Sequence, residues 1–467
     1  MILFLLASAM LIGGYFIYGV VVEKILDINP ANKTPAVTMT DGIDFVPLKP
    51  TKIFLIQFLN IAGLGPVFGA ILGALYGPVC LLWIVFGSIF AGGVHDMLSG
   101  TLSMRNKGST IVAFVKKYLG DKFHYFFIFL LVFLLVLIGS IFAQTPAHML
   151  ESATGLPFVA WLGIIFGYYF LATLLPIDKI IGRFYPIFGA CLIISTFLLL
   201  IVLFGKGVDF YHDLSVINQN PGEKPIFPLM FITIACGALS GFHSTQSPMM
   251  ARCITNEKYA RPVFYGAMIT EGFIALIWAT LGIAFYNGTA GLNEALGATG
   301  NAGAVVSEIS KGFLGQWGGS LAVLSVIFLA ITTGDTALRS ARLSCADFLK
   351  SDQKKLKNRL FLSAIILGVA TAMAFIDLNK IWVYFGWANQ LLASIMLWVG
   401  AFYLREHHKN EMIAMIPAIF ITSVCATYLG YAPILLGLPI EQSICFGLVL
   451  TAIIVVLYFF KCRKVAY

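Results

Sequence analysis

The chain has 467 residues, 59% of them hydrophobic and only 11% charged. Ordinary globular domains carry about 25% charged residues, so the composition excludes a soluble enzyme or a nucleic-acid-binding domain and leaves a polytopic membrane protein. The net charge of +8 is no polyanion-binding signal, because the positive residues are sorted between the loops.

A bilayer is crossed by about 20 apolar residues. The apolar runs predict about thirteen spans, at 2–21, 53–75, 79–103, 123–145, 157–175, 184–205, 226–250, 260–286, 316–338, 360–376, 381–403, 412–430 and 440–460. The first has neither an n-region charge nor a small-residue cleavage site and reads as a retained helix, not a signal peptide.

Two spans are interrupted. Span 53–75 contains Asn60-Ile61-Ala62-Gly63-Leu64-Gly65-Pro66. Span 226–250 contains Gly237-Ala238-Leu239-Ser240-Gly241-Phe242-His243-Ser244-Thr245-Gln246-Ser247-Pro248. Irregular backbone at membrane depth survives only where it is buried in protein or lines a polar cavity. A pair of such breaks in corresponding positions of two halves points to a transporter's binding site.

Numbered from the N-terminus, the odd loops and the C-terminus hold 26 of the 30 Lys and Arg. This positive-inside pattern places the N-terminus outside and the C-terminus in the cytoplasm. The two broken helices then enter from opposite sides. Five spans counted from each give an inverted five-plus-five repeat, with one helix before it and two after. The expected division is an extra helix and cytoplasmic loop over 1–50, a first arm over 51–206, an outside connector over 207–225, a second arm over 226–404 and two closing helices over 405–467. The Gly- and Ala-rich outside segment 287–315 either covers the outer mouth or is a passive loop. The basic loop 339–359 holds topology and touches anionic headgroups. The eight cysteines form no C-x-x-C pair and read as packing residues. No metal-ligand spacing, Walker loop or nucleotide fingerprint is present, so no cofactor is expected.

Of 22 acidic residues, only Asp96, Glu271 and Asp335 fall inside predicted spans away from the first turn, where Glu441 opens the last one. A charge at the bilayer centre costs about 2.5–3.5 kcal/mol on insertion scales, so each is a candidate for ion or proton coupling. Glu271 lies midway along its span, and burial favours the protonated form of a carboxyl. Its alternative role is a structural hydrogen bond. Asp335 lies in Thr332-Thr333-Gly334-Asp335-Thr336, where hydroxyls and a carboxylate offer oxygen ligands to a small cation; an ion pair with Arg339 at i+4 is the alternative. Asp96 follows His95 and lies nearer the cytoplasmic end, where it meets water or Arg105 instead. Adjacent helical residues point in different directions, so the two need not pair.

His243 lies in the second break, among Ser240, Gly241, Ser244 and Thr245. Exposed amides at the start of a half-helix attract anionic groups, and a histidine there binds a carboxylate or titrates. A satisfied packing histidine is the competing assignment. In the first break, Ala62, Gly63 and Gly65 let backbone approach a ligand, Pro66 begins a half-helix, and Asn60 and Gln57 are polar. Asn389-Gln390 reads as packing glue between helices.

Several stretches resemble the carbon starvation protein A (CstA) family. They are Thr34-Pro35-Ala36-Val37 followed by Asp41-Gly42-Ile43-Asp44-Phe45-Val46-Pro47, then Ile61-Ala62-Gly63-Leu64-Gly65-Pro66, then Phe231 through His243. Asp335-Thr336-Ala337-Leu338-Arg339 and Phe385-Gly386-Trp387-Ala388-Asn389-Gln390-Leu391-Leu392 match later motifs. The resemblance implies an inner-membrane carrier of the amino acid–polyamine–organocation superfamily with a LeuT-like fold, whose relatives take up peptides, or pyruvate with protons. The chain is shorter than the long members, and reads Ser-Thr-Gln-Ser-Pro after His243 where they carry Ala and a Gly-Thr-rich turn.

The expected function is therefore secondary active transport of a small carboxylate or short peptide, driven by H⁺ or Na⁺. An amino acid:cation symporter is the alternative on the same fold. A channel would need a continuous polar stripe, and a haem or redox protein would need facing histidines, for which only His95 and His243 qualify. Partners are a small-molecule substrate and the lipid bilayer, with no nucleic acid; the sequence leaves the oligomeric state open.

Overall fold

The computed structural model describes residues 1–42, 45–174, 177–206, 216–300, 302–351 and 355–465. All regular structure among them is helical. Nine of these helices are long and apolar enough to cross a membrane, and one bent pair makes ten. The protein is thus an all-α, multi-pass membrane protein.

In chain order the helices are α1 (Ile2–Leu26), α2 (Pro50–Ile61), α3 (Gly65–Ala74), α4 (Val79–Arg105), α5 (Ile111–Leu119), α6 (Asp121–Thr154), α7 (Phe158–Leu174) and α8 (Ile177–Gly205). After a short helical stub at 226–233 come α9 (His243–Ala251), α10 (Glu257–Phe285), α11 (Thr289–Thr299), α12 (Ala302–Phe348), α13 (Leu356–Met373), α14 (Leu378–Glu406), α15 (Met412–Tyr431) and α16 (Ile440–Val465). Local chemistry sets several ends. Pro50 opens α2, where its missing N–H leaves no bond unmade. Gly155 closes α6 in the left-handed region, at φ +75°.

Both predicted breaks are present. The first bends α2 against α3 by 57° across Ala62, Gly63 and Leu64. The second lies earlier than its Gly and Ser content predicts. Helix is lost from Ile234 and resumes at His243, so Ser244, Thr245 and Pro248 belong to α9. The physical reason is that Ser244 and Thr245 turn their hydroxyls back onto the carbonyls of Gly241 and Phe242, at 2.6 and 2.7 Å. They thereby brace the first turn of α9 instead of breaking it.

Helices α4, α6, α10, α12 and α14 are buried along most of their apolar length, while α1, α13 and α16 leave most of theirs exposed. Buried apolar helices ringed by lipid-facing ones make the bilayer part of the solvent. The segment 287–315, expected on the outside, is largely helical instead of a loop. It forms α11 and the first turns of α12, with Leu292, Val305, Val306 and Ile309 fully buried, and it turns back at Gly315, φ +70°.

The two breaks touch each other. A side-chain carbon placed on Gly65 would overlap Cys236, and the α-carbon of Pro66 lies 3.6 Å from where a Cβ on Gly237 would be. Gly65→Ala is therefore expected to lower the melting temperature of the detergent-purified protein, since overpacking costs about 1–3 kcal/mol. Adding Cys236→Gly should recover most of that loss. An unshifted melting temperature in the single variant would refute the contact.

Candidate functional site

A break exposes main-chain groups, and each needs a partner when buried. In the second break the partners come from two helices, α4 and α14. Gln390 donates to the Phe231 carbonyl at 3.1 Å and Trp382 to Thr233 at 3.5 Å. Trp83 donates to Ile234 at 3.2 Å and Ser88 to Gly237 at 3.3 Å. Asn389 does most. Its Oδ1 accepts from the Phe242 amide at 2.9 Å, its carbonyl accepts from the Gly241 amide at 3.1 Å, and its side-chain amide donates to Ser240 at 3.0 Å. The Asn389-Gln390 pair is thus a backbone clamp on the second break. Removing it with Asn389→Leu strands a buried N–H and a hydroxyl, at about 1–3 kcal/mol each. The variant should melt well below the wild type, and equal melting would dismiss the clamp.

The first break differs. The amides of Gly63 and Leu64 donate to no acceptor among the described residues, although both residues are buried. The Asn60 Oδ1 and Thr333 hydroxyl beside them are also without partners. The Thr333 methyl lies 3.4 Å from the place a Cβ on Gly63 would take, and Phe142 closes the other side at 2.6 Å. Successive unpaired amides form an anion-attracting concavity.

Three helices bring a line of titratable groups against the second break. Asp96 and His95 stand on α4, just after a π-helical stretch at Gly87–Gly92. His243 opens α9, and Glu271 is on α10, which itself begins with a π-helical stretch at Arg261–Tyr265. Such stretches are rare and recur at functional sites. All four side chains are fully buried. The Asp96 carboxylate accepts from Nδ1 of His95 at 2.8 Å through one oxygen and from Nδ1 of His243 at 2.9 Å through the other. Nε2 of His243 then faces Glu271 Oε2 at 3.4 Å, within ion-pair reach but not aligned as a hydrogen bond.

The chemistry of this line follows from valence. Asp96 holds the Nδ1–H of His243, so Nε2 is the free basic position of that ring. Between Nε2 and Glu271 there is room for one transferable proton, on the carboxyl or on the imidazole. Gly237 packs on Ala275, one turn along α10 from Glu271, at 2.8 Å to a notional Cβ.

Asp96 does not meet water or Arg105, the surroundings its position in the sequence suggested. It is fully buried, and Arg105 bonds instead to Glu257 at 2.6 Å, Tyr403 at 3.1 Å and the Asp27 carbonyl at 2.9 Å. His95 and Asp96 do pair, at 2.8 Å.

Asp335 stands apart from this line. Its Oδ2 lies 3.5 Å from Arg339, whose guanidinium also donates to the Ala172 carbonyl at 2.8 Å. The Thr332 hydroxyl donates within its own helix to Phe328 and Leu329. Of the substrate candidates, Ser240 and Gly241 are engaged by Asn389, and Ser244 and Thr245 by the α9 cap. Asn60, Ala62, Gly63 and Gly65 lie along the first break. Gln57 ties α2 to α9 through Ser247 at 3.1 Å. Sequence reasoning missed Trp83, Ser88 and Trp382 as break partners; nothing in their spacing signals them.

A family model described as carbon starvation protein CstA matches residues 1–159, 144–312 and 287–428. A relative from Haemophilus influenzae, named only as an uncharacterized membrane protein, is 44% identical over 351 residues, covering 64% of this chain and 95% of its own. The Bacillus subtilis peptide transporter CstA is 25% identical over 524 residues, with 89% of this chain and 88% of that one covered. The Escherichia coli pyruvate/proton symporter BtsT is 25% identical over 577 positions, covering 87% and 78%. That alignment is longer than this chain, so the symporter carries insertions absent here. Among solved structures, the crystal structure of MhsT in complex with L-phenylalanine superposes with a TM-score of 0.57 at 13% identity, over 89% of this chain and 99% of that one. The fold is accordingly LeuT-like.

Proposed function

The chain belongs to the carbon starvation protein CstA family, and on that premise we propose that it is a proton-coupled secondary transporter importing a small carboxylate or a short peptide across the inner membrane. It is a transporter and not an enzyme, as its named relatives are. The observation that carries the coupling half of the proposal is the buried line Glu271–His243–Asp96, which can hold one movable proton against the second break. The substrate half is supported by the unpaired Gly63 and Leu64 amides with the Thr333 hydroxyl, donors suited to a carboxylate, with Asn60 beside them in sequence. Pyruvate and peptides, the cargo in the relatives' names, share that group.

The cycle follows from these two places. Substrate carboxylate docks on the first break while Glu271 and His243 hold a proton beside the second. Because the breaks touch, protonation and docking act on one joint, and the helices bearing it rock against the remainder. Sodium would have to displace Arg339 at Asp335, which favours the proton as the driving ion. Thr332 and Thr333 are then neighbours of the substrate path, not ion ligands.

The proposed topology has thirteen spans in an inverted five-plus-five repeat, arms over 51–206 and 226–404, N-terminus outside and C-terminus inside. The count is supported by the nine long helices, the bent pair and two shorter apolar helices, with the second broken segment taken as the thirteenth. The deciding experiment is uptake of labelled pyruvate, amino acids and dipeptides into proteoliposomes. Accumulation of pyruvate or a dipeptide under an inward pH gradient in Na⁺-free buffer is expected. Strict Na⁺ dependence, or transport of amino acids alone, would replace this reading with an amino acid:cation symporter.

A further inference from the structure

At one edge of the protein, α5 and the ends of α14 and α16 enclose a cavity of about 540 Å³. Lys117, Tyr118, Phe402, Arg405, Glu406 and Lys461 line it. Glu406 accepts from Lys117 at 3.0 Å and from Tyr118, and Arg405 is drawn to Glu411 at 2.8 Å. Lys461 lies over the Phe402 ring at 5.6 Å, and no carboxylate among the described residues is within ion-pair distance of it. The cavity therefore presents a surplus of positive charge.

The approach to it is apolar. On α16, Leu448, Val449, Ile453, Val456, Leu457 and Phe460 are each at least half exposed. Their spacing of three and four places them on one helix face, and that stripe ends one residue before Lys461. A free anion would use the cavity and have no use for the stripe. An amphiphile with an anionic head and long apolar tails would use both, as basic pockets between membrane helices use anionic headgroups.

We propose that this cavity binds the phosphate headgroup of an anionic phospholipid, with Lys461, Lys117 and Arg405 around the phosphate and the acyl chains along α16. The site is independent of the transport reading. Its occupant braces the end of α14, the helix that carries the Asn389 clamp.

The test uses the full-length protein, stripped of lipid in detergent and titrated with phosphatidylglycerol, phosphatidylcholine or inorganic phosphate. Lipid retention is read by native mass spectrometry, and stability by thermal melting. Phosphatidylglycerol should be retained and should raise the melting temperature, with phosphatidylcholine and phosphate doing neither. Lys461→Gln should weaken retention about fivefold, the worth of one cation near an anionic surface. Lys461→Arg, and Lys52→Gln at a lysine outside the cavity lining, should leave it unchanged. Equal effects of the two lipids, an equal effect of phosphate, or unchanged retention in Lys461→Gln would each overturn the proposal.

Discussion

Glu271→Gln is expected to abolish pH-driven accumulation of substrate in proteoliposomes, by more than about tenfold, while leaving counterflow exchange of labelled for unlabelled substrate in place. Gln matches Glu in size but cannot take the proton that Nε2 of His243 offers across 3.4 Å. Uptake would then lose its link to the proton gradient, and the rocking motion would not. Exchange needs only that motion and a bound substrate. Accumulation unchanged from the wild type would remove Glu271 from the coupling line. Loss of both activities in a well-folded variant would make it a general structural residue.

The second large effect is that of His243→Ala on folding itself. His243 is the hub between two buried carboxyl groups. Removing it leaves Asp96 with His95 as its one remaining ring partner, and Glu271 with none. Breaking a buried charged pair by deleting one member costs about 3–5 kcal/mol, so the variant should melt far below the wild type or fail to fold. Combining His243→Ala with Asp96→Asn removes the stranded charge and should recover a substantial part of the loss. A double variant no more stable than the single one would show that charge is not what His243 satisfies. His243→Gln, which can still donate to Asp96, should fold and lose proton coupling.

The sequence made the two breaks legible because clustered Gly and Pro weaken a helix wherever they fall, and a long apolar run makes the cluster stand out. It also isolated Asp96 and Glu271 as costly intramembrane charges and His243 as the histidine within a break. Their meeting was not legible. Asp96 is far in sequence from the consecutive helices that carry His243 and Glu271, and helical periodicity says which face a residue takes but not which helix that face meets. Asp335 shows the opposite case, since Arg339 one turn away was visible from the i+4 spacing alone. The end of the second break was misplaced for a local reason. Ser and Thr serve as well for a helix cap as for a break, and only the direction of their hydroxyls distinguishes the two. The partners of the broken backbone, Trp83, Ser88 and Trp382, are ordinary membrane-helix residues whose role exists only in three dimensions.

The contact between Gly65 and Cys236 bears on how tightly such a protein can hold its cargo. Where two segments already touch, a molecule bound between them must first find them parted. Its apparent dissociation constant is then the intrinsic one divided by the fraction of molecules already open. Every contact that steadies the closed joint subtracts from affinity, and every proton that loosens it adds. On the proposed carrier cycle, the packing of Gly65 and Gly237 against the opposite break would thus set how far the apparent affinity falls below the intrinsic one.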